Sequence, residues 1–84
     1  MTIYIVTEHV MNGTVTMKTI VSGIEAEDFV KAKFALVEKL LKNLGKDKFK
    51  TIEDTPELYR YSIRNPEFPV FGQMENKPLD ILNE

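Results

Sequence analysis

The chain has 84 residues, of which 43% are hydrophobic and 29% charged; that is enough for one domain burying about 60–65% of its unfolded surface, and too little for a deep enclosed substrate cavity. It contains no cysteine, which excludes disulfides, thiolate zinc sites and a cysteine nucleophile. The net charge of −2 divides into −3 over residues 1–30, +5 over 31–50 and −4 over 51–84, a layout that either steers an acidic partner to the middle or is neutralised internally by the tail.

Residues 1–22 carry Glu8, His9 and Lys18 and lack the basic start and apolar run of a signal peptide. Nowhere is there an apolar run of ~18 residues. A cytosolic chain with no membrane partner is expected. Thr2–Val10 and Thr14–Val21 are β-forming runs separated by Asn12-Gly13, the strongest short-range hairpin signal. A two-residue turn between Met11 and Thr14 would set Val10 opposite Val15, Glu8 opposite Met17, Val6 opposite Thr19 and Tyr4 opposite Val21. The other face would then carry Ile3, Ile5, Thr7, His9, Thr16, Lys18 and Ile20, with an apolar Ile3/Ile5/Ile20 end that needs cover.

A helix follows, spanning Asp28–Leu44. Ser22 with Glu25 offers one capping box and Asp28 a later cap before Phe29; the later start is preferred, leaving 23–26 to extend the second strand. Gly45, with Lys39 and Lys42 in the last turns, marks the stop. At ~100° per residue, Phe29, Val30, Phe34, Leu36, Val37, Leu40, Leu41 and Leu44 sweep roughly 160°, more than one sheet needs to cover. Lys33 splits this arc into Phe29/Leu36/Leu40 and Val30/Phe34/Val37/Leu41, which suggests that the helix serves two surfaces. The surplus belongs under the chain's own tail or a second copy.

Lys48–Ile52 and Leu58–Arg64 read as a second hairpin, with Thr55-Pro56-Glu57 competing as a helix start. Glu67–Gly72 is too rich in proline for a central strand and too apolar to dangle, so it should dock as an extended arm. Pro78–Glu84 is short enough to form one helical turn or fray. The expected fold is α+β, ββαββ: a mainly antiparallel sheet of about four strands, one helix on one face, a domain over residues 1–65 and an extended C-terminal arm over 66–84.

Chemistry is sparse in this pattern. His9, the only histidine, neighbours Glu8 in sequence, but adjacent strand residues face opposite ways. The acids at Glu25, Glu27 and Asp28 suit a helix N-terminus, and those at Glu53, Asp54 and Glu57 suit a polar turn. Neither group has EF-hand spacing, and the glycines form no phosphate loop. No catalytic residue, metal or cofactor is expected. The expectation is a non-enzymatic interaction domain, a homodimer that also binds a protein partner through Ile3, Ile5, Ile20, Phe68, Val70 and Phe71. That profile is shared by small accessory proteins, among them regulators and inhibitors encoded by mobile elements. The alternative is a nucleic-acid binder using Lys46, Lys48, Lys50, Arg60 and Arg64 around Phe49, Tyr59 and Tyr61, against which stands the low pI.

Overall fold

The structure is a computed structural model that describes residues 1–79. Its elements run β1 (Thr2–Asn12), β2 (Val15–Ala26), α1 (Phe29–Asn43), β3 (Phe49–Asp54), β4 (Leu58–Ile63) and β5 (Val70–Glu75). The strands form one antiparallel sheet in the order β2-β1-β5-β4-β3. The fold is α+β as expected, with five strands rather than about four.

The fifth strand is the segment read as an arm, and it occupies the centre of the sheet. The proline argument fails because Pro66 and Pro69 precede the strand, so no ladder amide is missing. Pro69 even contributes, its carbonyl accepting from the Met11 amide at 2.9 Å. Beyond Pro69, Val70, Phe71, Gly72, Gln73 and Met74 pair with β1 on one side and β4 on the other. The last strand in sequence thus joins two hairpins that do not pair with each other in the sheet. After it, the Leu79 amide donates to the Ile3 carbonyl at 2.7 Å, outside any helix or strand; the rest of the expected terminal turn, 80–84, lies outside the described residues.

The first hairpin forms with a different register from the one expected. Gly13 has φ 65° and no other residue near the turn has positive φ, so Gly13 and Thr14 are the central pair, as in a II′ turn, and Asn12 joins the strand opposite Val15. Met17 is then an extra residue between the pairs Met11–Thr16 and Val10–Lys18, a β-bulge. The combined shift sets Tyr4 opposite Ile24, Val6 opposite Ser22 and Glu8 opposite Ile20. In the second hairpin Leu58–Ile63 is strand, not helix. Thr55 Oγ1 accepts from the amides of Glu57 and Leu58, as a helix cap would, but the Thr55 amide donates to the Leu58 carbonyl at 2.9 Å and turns the chain into a hairpin.

α1 carries the chain from β2 at one edge of the sheet to β3 at the other and packs on one face. Asp28 caps it, accepting from the Lys31 amide at 2.9 Å, a bond worth about 1 kcal/mol. The stop comes at Leu44, with Gly45 at φ 90° and its amide on the Leu41 carbonyl. The core between helix and sheet is Phe29, Ala32, Leu36 and Leu40 against Tyr4, Val6, Ile24, Ala26, Tyr59, Tyr61 and Met74.

Candidate functional site

Four apolar residues of α1 lie on one line beside this core, Val30, Phe34, Val37 and Leu41, spaced four, three and four apart, with Val37 packed against the core and the other three outside it. Phe34 is 71% exposed, Val30 57% and Leu41 45%, while Val37 is half-buried at the border. A scattered apolar side chain on a surface needs no explanation, but a contiguous row does. The two stripes expected from the sequence are therefore both present, with only the inner one on the sheet.

Lys33 separates them by a different means from simple snorkelling. Its ammonium lies 4.9 Å from the Phe29 ring centroid and donates to Asp54 Oδ1 at 2.7 Å and to the Thr55 carbonyl at 3.1 Å. This ties the helix to the β3–β4 turn and closes the core edge beneath the outer row. Lys31 and Glu38 flank the same row on its solvent side, both exposed, with Lys31 also paired to Glu27.

The sheet surface facing away from α1 holds part of the surface expected from the sequence. Ile3 and Ile5 lie on it, half-buried, with an Ile3 methyl over Gly23. Phe71 also lies there, in register with His9 and Ser62, about 13 Å along β1 from Ile5. Ile20 does not. Opposite Glu8, it shares the helix-side face, and the Ile3/Ile5/Ile20 patch is not one surface. Val70 likewise shares the helix side with Val10 and Ile63, and Phe68 sits half-buried in the preceding loop, so the Phe68–Val70–Phe71 group is split three ways. His9 has its Nδ1 3.1 Å from Thr19 Oγ1, on the opposite face from Glu8 as expected.

Glu8 occupies a cleft of about 280 Å³ between the sheet and the C-terminal half of α1, lined by Val6, Ile20, Leu36, Leu40, Tyr61 and Ile63 among others. There it accepts a hydrogen bond from the Tyr61 hydroxyl. Glu8, Gly72 and Tyr61 are consecutive in one cross-strand row; the Tyr61 ring lies over Gly72, where a Cβ would stand 2.2 Å from Tyr61 Cζ. Burial, and then the Glu8 hydrogen bond and charge, push the Tyr61 hydroxyl far above the usual tyrosine range. It remains a proton donor that satisfies a carboxylate, not a base. Alternation on β4 puts Tyr59, Tyr61 and Ile63 on one face, but no sequence signal pairs Tyr61 with Glu8, 53 residues away.

The basic candidates are only partly brought together. Lys48, Lys50 and Arg64 surround a shallow recess of about 150 Å³ at the β3 edge, and the Arg64 amide donates to the Lys48 carbonyl at 2.7 Å. Lys46 is exposed but does not line the recess, and Arg60 Nη1 is 3.2 Å from Glu53 Oε1. Tyr59 and Tyr61 are 2% and 0% exposed, and the Tyr59 hydroxyl is hydrogen-bonded to Thr51 at 2.8 Å. The rings expected to stack on bases are core residues.

Among the described residues no helix is long and apolar enough to cross a membrane, and no three His, Cys, Asp or Glu side chains gather as metal ligands. Neither a family model, nor a curated protein, nor a solved structure matches this chain.

Proposed function

We propose that the chain is a non-enzymatic protein-interaction domain that binds its partner through the outer row of α1, as a small accessory regulator or inhibitor does. The observation that carries this reading is the line Val30, Phe34 and Leu41, exposed together on a rigid, capped helix whose other face is anchored in the core. Ordered apolar groups of this kind associate at low entropic cost, because the helix is already formed. Ile3, Ile5 and Phe71 on the far side of the sheet are a secondary contact surface. The experiment is capture of binding proteins from host lysate, with and without nuclease, comparing the wild type with Phe34→Glu. Burying one phenylalanine contributes about 1.5–3 kcal/mol, so the variant should lose its partner while nuclease leaves binding intact. Retention by the variant would overturn the reading.

The grouping of Lys48, Lys50 and Arg64 favours a second reading, binding of nucleic acid along the β3 edge. It requires affinity that falls steeply with salt and disappears in Lys48→Glu/Lys50→Glu.

A further inference from the structure

Resting on the reading of the outer row as a contact surface, we infer that its occupant is a second copy of this chain, the two α1 helices running antiparallel about a two-fold axis between Phe34 and Val37. The spacing of Val30, Phe34, Val37 and Leu41 continues by three to Leu44, which is the alternating three-and-four repeat of a helix–helix seam. Antiparallel pairing at this register stacks Val30 on Leu41 of the second copy and Phe34 on Val37 of the second copy. Every exposed member of the row is covered, and each contact occurs twice, as a closed two-fold interface requires.

The flanking charges select the same arrangement. Lys31 and Glu38 lie on the solvent side of the row, seven residues apart and both exposed; the Lys31 ammonium pairs with the exposed Glu27 and has donors left for a second carboxylate. Running the helices antiparallel brings Lys31 beside Glu38 of the second copy, and Glu38 beside Lys31 of the second copy. A parallel pair would instead need Lys33 to reach Glu38 of the second copy, and Lys33 is held by Asp54 and Thr55. Opposed helix dipoles also favour the antiparallel form. The seam is only about 16 Å long, so the dimer is small and its population depends on concentration.

Sedimentation across a concentration series tests this directly. The wild type should rise from 9.7 kDa towards twice that mass below about 200 µM, and Phe34→Glu, at a mostly exposed position, should keep its circular dichroism and stay monomeric. Lys31→Glu and Glu38→Lys should each weaken dimerisation roughly tenfold by setting like charges together. Mixing those two variants should restore it, because each then supplies what the other lacks. A wild type that remains monomeric overturns the inference, as does a dimer insensitive to Phe34→Glu or a mixture that fails to recover. If the wild type is monomeric but captures another protein through Phe34, the functional reading stands and only the second copy is refuted; if it does neither, both fall.

Discussion

Replacing Gly72 with alanine would set a methyl carbon 2.2 Å from Tyr61 Cζ and 2.5 Å from its hydroxyl oxygen. The ring cannot simply slide away, since Tyr61 is fully buried and packs 5.9 Å from the Tyr59 ring. Overpacking of a core costs about 1–3 kcal/mol. Moving the ring also breaks the hydrogen bond to Glu8, a charged acceptor worth about 1.5–3 kcal/mol. Against this, alanine lowers the entropy of the unfolded chain by about 0.4–1 kcal/mol. The net destabilisation is about 1.5–5.5 kcal/mol, which at ~4–8 °C per kcal/mol for a domain of this size is a large fall in Tm. Urea unfolding followed by circular dichroism measures it. The cause is isolated by repeating Gly72→Ala in a Tyr61→Ala background, where the clash is gone and the substitution should be near neutral. A loss under about 0.5 kcal/mol in the wild-type background, or an equal loss in both, would refute the account of this row.

Other consequences follow from the same contacts. Because the folded Tyr61 hydroxyl ionises well above its unfolded value near about 10, its contribution is complete below that pH and is lost as pH rises towards the folded value; stability should decline above about pH 10, with a smaller slope in Tyr61→Phe. Deleting residues 70–84 removes the strand that joins the two hairpins, so the truncated chain should show no cooperative unfolding transition. Asp28→Ala should cost about 1 kcal/mol by uncapping α1, read from the same urea curves, while the outer row keeps its place on the helix.

The helix was legible to within a residue at each end, Asp28–Leu44 expected against Phe29–Asn43 observed, because the Asp28 cap preferred over the Ser22/Glu25 box, the apolar arc and Gly45 after Leu44 frame the same segment. The outer row was legible too, as the half of that arc beyond Lys33. What misled was local evidence about pairing. Asn12-Gly13 announces a turn but does not say which two residues occupy its centre, and the Met17 bulge adds a second shift; together they move Ile20 to the opposite face from Ile3 and Ile5. Pro66 and Pro69 argue against a strand only where they would sit in the ladder, and Val70 starts just past them. The Glu8–Tyr61 contact joins residues 53 apart, a separation no periodicity reveals. Thr55-Pro56 fits a helix cap and a hairpin equally well, and the decision falls to the Tyr59 and Tyr61 rings, which bury themselves only if the chain turns into a strand.

The central claim is that the outer row of α1 is the surface through which this protein associates. It is tested most directly by methyl and aromatic NMR spectra of the unmodified protein recorded as its concentration rises. The account predicts that signals from Val30, Phe34, Val37 and Leu41 shift together while those of Val6 and Leu36 stay fixed. Spectra that do not change, or changes centred on Ile20 and Val21 along the free edge of β2, would contradict association of two copies through this row.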